Sequence, residues 1–359
     1  MNTKKASKKQ PKKPGKKVRS KSSIRRKTLL WIGGLALAFI VLASIAAAYA
    51  LRRYDGDGRW VYIPQSATDA QVRDSLQSAL GDDTGSRVYN LWHLQGGNAA
   101  NAHGAYLINK GDRSVFIARR LAKGRQTPVS AEWTDARTLE TMATRLTSKL
   151  ECSPEALLDA INRILPDSSF TRQQFPAAFL PAKFEFYWSA SPDDIVRRLL
   201  HYRNRFWTPE RRKKAAALNL TPVEVATLAS IVEEETAKTD ERGRVARLYL
   251  NRLAIDMPLQ ADPTVKYAVG DPTIKRILKS HLSTPSPYNT YLNHGLPPGP
   301  IRIVDERTID AVLDAPQHDY LYMCARADFS GYHDFAVTYA EHQANAARYQ
   351  AELDRRGIW

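Results

Sequence analysis

After a polar leader, the chain carries one long apolar run and then breaks into many short amphipathic segments. Residues 29–51 hold 23 positions without a charge, enough for a helix rising about 1.5 Å per residue to cross a hydrocarbon core of roughly 30 Å. A cleaved signal peptide is the competing reading, because Ala46-Ala47-Ala48 and Ala48-Tyr49-Ala50 have the small-residue form of cleavage sites. Its apolar region is usually shorter, about 7–15 residues, so the run reads as a transmembrane helix. Beyond it, Trp60-Val61-Tyr62-Ile63 predicts a strand and 69–80 a helix with Val72, Leu76 and Leu80 on one face. Gly96-Gly97-Asn98 marks a turn, Tyr106-Leu107-Ile108 a strand, 114–121 a short helix ending near Gly124, and 138–150 another helix. Helices are expected at 154–164 and at 192–202, the second bearing Ile195, Leu199 and Tyr202 on one face. The basic residues 211–214 read as an exposed connection. Toward the C-terminus, 308–313 predicts a helix, 320–324 and 332–337 strands, and 339–357 a closing helix. No internal repeat is present, and the mixture predicts an α+β fold.

The sharpest start signal is Thr221-Pro222-Val223-Glu224. Threonine at the cap, proline at the first helical position and glutamate three residues after the cap form a capping box. Stepping about 100° per residue from there puts Val225, Leu228, Ala229, Ile231 and Val232 on one apolar side. Three consecutive glutamates then diverge. Glu234 points to the far side and Glu233 to a flank near Ala226; both are expected on a solvated face, with Glu234→Gln nearly silent. Glu235 projects between Ile231 and Leu228. A carboxyl on an apolar stripe is desolvated, which raises its pKa and lets it hold a proton near neutral pH, as a general acid for glycosidic cleavage requires. The competing reading pairs Glu235 with Arg244 or Arg252 of the next helix, 240–253, whose apolar face is Val245, Leu248, Tyr249 and Leu253.

Polar, proline-rich stretches follow at 259–264, 284–291 and 294–301. Prolines stiffen such loops by fixing φ, so side chains can be held around a groove at low entropic cost. Tyrosine beside Asn, Gln and Asp suits a sugar, which offers apolar ring faces and many hydroxyls. Gln260, Asp262, Tyr288, Asn289 and Tyr291, with Arg252 before them, are therefore the candidate substrate-binding residues. For Tyr291 and the prolines, rigid turns with packed tyrosines are the competing reading.

Charge changes the picture once it is located. The formal charge is +16, but residues 1–28 hold ten Lys and three Arg with no acid, and Arg52 and Arg53 follow the apolar run; without these fifteen, 38 basic residues stand against 37 acidic ones. The body is nearly neutral, and the cation excess before the run places the tail in the cytoplasm and all beyond about residue 54 outside it. No aromatic residues interleave the tail cations, so nucleic acid is not an expected partner; anionic lipid head groups are. Cys152 and Cys324 are read either as a disulfide or as two buried thiols. His333 and His342 have no Cys or His at metal spacing and read as structural, so no metal is expected. Neither a nucleotide-binding glycine loop nor a Gly-x-Ser-x-Gly elbow is present.

Five motifs in order carry a resemblance: Leu228-Ala229-Ser230-Ile231-Val232-Glu233-Glu234-Glu235-Thr236, Asn251-Arg252-Leu253, Leu259-Gln260-Ala261-Asp262-Pro263-Thr264-Val265, Tyr288-Asn289-Thr290-Tyr291, and Gly295-Leu296-Pro297-Pro298-Gly299-Pro300-Ile301. Together they closely resemble the YceG-like (MltG) family of endolytic murein transglycosylases, strongly from about 221 to 342 and weakly from about 104 to 150, where that family has a LysM-like module. There this chain has Asp135-Ala136 in place of a Glu-Gly pair ahead of the helix, and 54–100 matches nothing recognised. The resemblance implies a membrane-anchored lyase, without cofactor, that cleaves the β-1,4 bond between N-acetylmuramic acid and N-acetylglucosamine and leaves 1,6-anhydro ends, terminating nascent strands. The catalytic glutamate, directly before threonine in the motif, carries over to Glu235.

The organisation expected is a basic cytoplasmic tail at 1–28, the transmembrane helix at 29–51, membrane-proximal αβ modules at 54–150 including the LysM-like stretch, a helical connection at 151–220 and a catalytic domain at 221–359. The expected partners are peptidoglycan glycan strands and the membrane, with peptidoglycan synthases as candidates. Two other functions compete: a muramidase with Asp262 as second carboxylate, and a non-catalytic scaffold that only binds glycan.

Overall fold

The computed structural model describes residues 1, 3, 21–134, 136–271, 273–274 and 276–357. Most of the basic tail, and Asp135 of the LysM-like stretch, lie outside the described residues. The fold is mixed α+β and divides into two compact units, residues 1–102 with 106–125, and residues 103–105 with 126–359.

The first unit begins with α1 (Lys21–Leu51), whose segment Arg25–Leu51 is long and apolar enough to cross a membrane. Among the described residues most of its large side chains are exposed, Trp31 by 75% and Phe39 by 72%, and only its last turn, at Tyr49 and Ala50, meets the rest of the unit. A helix apolar on all sides and bare of protein up to that turn is compatible with a single membrane span. Then come β1 (Arg59–Ile63), α2 (Asp69–Leu80), α3 (Asp82–Leu94), α4 (Ala99–Ala102), β2 (Gly104–Ile108, paired with β1) and α5 (Ser114–Ala122). The expected face of α2 is the buried one, Val72, Leu76 and Leu80, and it closes a core with Val61, Ile63, Val88, Trp92, Ile117 and Leu121. Helix α3 was not foreseen. Gly85 looks like a helix breaker, yet a Cβ there would meet the α2 backbone at Gln77, 2.5 Å away, so glycine is what lets the two helices touch. Arg87 is buried too, held by Asp83, Thr84 and Ser114.

The second unit comprises β3 (Val129–Trp133), α6 (Leu139–Thr147), α7 (Pro154–Asp167), a 3₁₀ turn (Arg172–Ala178), β4 (Ala182–Phe186), α8 (Pro192–Phe206), α9 (Pro209–Ala217), α10 (Pro222–Glu235), α11 (Arg242–Ala254), α12 (Asp262–Val269), α13 (Glu306–Leu313), β5 (Tyr322–Ala325), β6 (His333–Ala336) and α14 (Tyr339–Arg356). Strands β3 and β4 pair antiparallel with Val129 opposite Phe186, and β5 and β6 with Cys324 opposite Asp334. The LysM-like stretch thus closes no sheet of its own: β2 pairs with β1, β3 pairs with β4, and the division between units falls inside it.

The reading of 211–214 as exposed connection is corrected in part: Arg212 and Lys213 are exposed, but the stretch is a helix. These residues lie in α9, where Arg211 holds Asp310 of α13 at 2.7 and 2.9 Å and Lys214 holds Asp314 at 2.7 Å. The loop expected around Asp262 is likewise a helix, α12, with Pro263 in its first turn and Gly270 capping it at φ 73°. Helix α10 starts at the expected capping box: Thr221 Oγ1 accepts the Glu224 N–H at 3.3 Å and Glu224 Oε2 accepts the Thr221 N–H at 2.7 Å. Its apolar side is as expected, but Ala226, Thr227 and Ser230 are buried as well, so α10 is enclosed rather than one-sided. Leu228, Ile231 and Val232 share one core with Val245 and Leu248 of α11 and Ile309 and Val312 of α13. Leu180, Phe206, Trp207 and Ala215, from the 151–220 stretch, belong to the same core.

Candidate active site

The last turn of α10 places the three glutamates in three environments. Glu233 and Glu234 do not lie on a solvated face: their side chains are 7% and 15% exposed. Arg302 bridges them, at 3.2 Å to Glu233 and 2.6 Å to Glu234, and Arg137 adds a contact to Glu234 at 3.1 Å. Glu233 Oε2 also accepts from Thr308 Oγ1 at 2.6 Å and from the Asp305 N–H at 3.1 Å. The physical reason is the crowding of three carboxylates at the negative end of a helix dipole, which needs cations close by. The loop carrying Arg302 is seated by Ser230, whose hydroxyl accepts the Ile301 N–H at 3.0 Å. Its entry is seated by Gly299, where a Cβ would overlap the Gln173 carbonyl.

Glu235 escapes this network and opens on a cleft of about 290 Å³. Tyr249 of α11 donates its hydroxyl to Glu235 Oε1 at 2.8 Å. Neither alternative partner holds Glu235. The Arg244 guanidinium lies over the Phe335 ring at 5.3 Å, and Arg252 donates to the backbone carbonyls of Leu321 and Leu259, both at 2.7 Å. Although part of Glu235 reaches the cleft, protein surrounds it on the other sides, and that burial pushes its carboxyl up to about 7. The Tyr249 hydrogen bond pulls it down, the Asp262 carboxylate adds to the push, and His333 and Arg252 pull it down again. Tyr249 itself is pushed well above its ordinary value by burial and by the Glu235 charge, so it stays a donor.

Of the six substrate-binding candidates, Arg252, Gln260, Asp262 and Tyr291 line this cleft with Glu235. Gln260 takes a left-handed backbone, φ 49°, a conformation costing a non-glycine residue roughly 1–2 kcal/mol. Hydrogen bonds hold it there: the Gln260 N–H donates to the Thr290 carbonyl at 3.1 Å, the Ala261 N–H to Thr290 Oγ1 at 3.0 Å, and the Thr264 and Thr290 hydroxyls meet at 2.8 Å. Asp262, exposed at the start of α12, accepts the Tyr291 hydroxyl at 2.7 Å. Burial, then that bond, raises the Tyr291 pKa.

Tyr288 and Asn289 do not line the cleft. Asn289 is fully buried, donating to the carbonyls of Leu282 and Thr284 at 2.9 Å each and accepting the Tyr291 N–H at 3.0 Å. Tyr288 packs on Tyr267, ring centroids 4.6 Å apart. Both shape the loop that presents Tyr291. Among the cleft residues not foreseen, two carry titratable polar groups beside Glu235: Tyr249, read as an apolar-face residue, and His333, read as structural. Strand pairing brings His333 opposite Ala325 at the cleft wall, beside Cys324. Cys152 and Cys324 are both free and half-buried, so no disulfide joins them.

Fold and cleft define a class: an α+β protein in which a single protonatable glutamate, with tyrosine and polar side chains around it, faces an open cleft. The YceG-like family model matches residues 61–348, and the chain belongs to that family. It is 35% identical over 162 residues to an endolytic murein transglycosylase of Bacillus subtilis, covering 44% of this chain and 43% of that one. A protein of the same name from Streptococcus pneumoniae D39 is 30% identical over 188 residues, 51% of this chain and 33% of that one. The chain thus spans less than half the length of these curated relatives. A crystal structure of a yceG-like protein from Listeria monocytogenes shares the fold, with TM-score 0.52 and 23% identity over 80% of this chain and 98% of that one.

Proposed function

We propose that the chain is a membrane-anchored endolytic lytic transglycosylase of peptidoglycan, with Glu235 as acid and then base. The observation that carries this is the Glu235 carboxyl raised to about 7 in an open cleft. That both relatives are endolytic murein transglycosylases, together with the family match, supports the substrate. In the proposed cycle Glu235 gives its proton to the glycosidic oxygen between N-acetylmuramic acid and N-acetylglucosamine as that bond breaks. The ionised carboxylate then takes the proton of the muramyl C6 hydroxyl while that oxygen bonds to C1, and a 1,6-anhydro ring closes. One carboxylate suffices because the nucleophile belongs to the substrate, and tethering gives it the entropic advantage of an intramolecular reaction. Arg252, Gln260, Asp262 and Tyr291 are the proposed substrate-binding residues, with Tyr288 and Asn289 acting through the loop they hold.

In this reading 221–359 is the catalytic domain, α1 anchors it with the tail in the cytoplasm and the rest outside, and 54–150 is membrane-proximal. A site tethered to the membrane works where strands are newly made, which fits termination of nascent strands; deleting the gene should then lengthen the glycan strands of the wall. The LysM-like stretch has no part in this reading, because both its strands pair outside it.

A second reading keeps one observation in its favour: Asp262 lines the same cleft and is exposed, as the second carboxylate of a muramidase would be. Digestion of purified peptidoglycan in ¹⁸O water separates the two. Anhydro ends, lighter by one water and resistant to borohydride, are expected; one labelled oxygen at each new muramyl end would sink the lyase assignment and make Asp262 the second catalytic residue.

A further inference from the structure

The cleft contains a second built device on the wall formed by β5 and β6. His333 lines the cleft, and its Nδ1 lies 2.8 Å from Glu241 Oε2. Glu241 is 2% exposed and sits at the N-terminal end of α11, where the helix dipole favours a negative charge. Its carboxylate also accepts the His333 backbone N–H at 2.9 Å and the Thr236 hydroxyl at 3.1 Å. A buried carboxylate of this kind needs a hydrogen from the ring, so Nδ1 carries a proton and Nε2 is the nitrogen left over. Among the described residues no protein group partners Nε2. A buried carboxylate that orients an imidazole at a cleft wall, with the other ring nitrogen left open, is arranged to hydrogen-bond a ligand hydroxyl.

We propose that His333 is a further residue of the cleft that touches the glycan, its Nε2 hydrogen-bonding a sugar hydroxyl other than the attacking one, with Glu241 as the positioning residue that fixes the ring. This rests on the reading of the cleft as a glycan-cleaving site. The same dyad reaches Glu235 through Thr236, the residue after it, whose hydroxyl donates to Glu241. A purely structural role for His333, holding that turn, therefore has to be separated from contact with the sugar.

Binding in a catalytically silenced background separates them. The full chain in detergent carrying Glu235→Gln is titrated with soluble, uncrosslinked glycan strands, alone and with His333→Asn or His333→Gln added. Asparagine keeps an amide near Nδ1 but ends short of Nε2, whereas glutamine carries its amide, donor and acceptor both, to the Nε2 position. His333→Asn should weaken binding about tenfold, the scale of one lost hydrogen bond with its partner left unpaired, at unchanged Tm, and His333→Gln should restore most of it. Equal affinities for the three proteins would overturn the proposal, as would an equal loss in both histidine variants accompanied by a lower Tm. Should the histidine variants not fold, the ¹⁵N shift of Nε2 in the Glu235→Gln protein decides: a change on adding glycan supports the contact, and no change overturns it. Residual cleavage by Glu235→Gln would instead count against the proposed catalytic role of Glu235, a separate result from these affinities.

Discussion

Glu235 has to be protonated to begin the proposed reaction and ionised to finish it, and a carboxyl held at about 7 populates both forms near neutrality. The rate should fall as pH rises through about 7, because the acid form is lost. Tyr249→Phe removes a hydrogen bond that favours the ionised form, so this alkaline limb should move to higher pH in kcat/KM profiles. Glu235→Gln keeps the shape without the transferable proton and should lower turnover by about a hundredfold or more. The same substitution should act on stability with a definite sign. Glu235 is raised from 4.5 unfolded to about 7 folded, so the wild-type fold loses stability as pH rises between those values. Glutamine has no charge to bury. Melting curves should therefore show Glu235→Gln more stable than wild type at pH 8 and nearly equal to it at pH 5.

At the scale of elements, the end of α10 depends on a cation from elsewhere in the sequence. Arg302 is 12% exposed and bridges Glu233 and Glu234. Its removal leaves two neighbouring carboxylates at the negative end of a helix, and Arg302→Ala should destabilise the protein by about 3 kcal/mol. Glu234→Gln, expected from the helical projection to be silent, should instead lower the Tm measurably, since two arginines pair with that carboxylate. The projection was right about direction and wrong about surroundings: it separates the faces of α10 but cannot see α13 and the 299–305 loop arriving on the far side. Helix α3 has no signal of its own for the same reason in reverse, because Gly85 and Arg87 violate local rules and are accommodated only by α2 and α5. Strands β3 and β4 do alternate in burial, Val129, Ala131 and Trp133 against Phe184 and Phe186, but each runs only five residues and its partner lies about fifty residues away.

The chain carries one apolar helix near its start and, in the second unit, a cleft built from elements between 222 and 336. The proposed topology follows from charge: fifteen cations flank the span, thirteen of them before it. A phosphatase reporter fused after residue 359 should be active only outside the cytoplasm. Activity of a cytoplasm-specific reporter at that position would overturn both the orientation and access to peptidoglycan.

What the sequence alone determined is local or counted along the chain: the apolar span from its length, the start of α10 from its capping box, the separation of Glu235 from Glu233 and Glu234 from helical geometry, and the family from five motifs in order. Tertiary structure alone decided which polar residues share the cleft. Asn289 and Gln260 look equally suited to a sugar in sequence, but one spends its hydrogen bonds inside a loop while the other is held, strained, at the cleft wall. His333 and Glu241 lie 92 residues apart. No period or spacing connects such a pair, because the hydrogen bond that makes them a unit exists only once β6 has packed beside the start of α11.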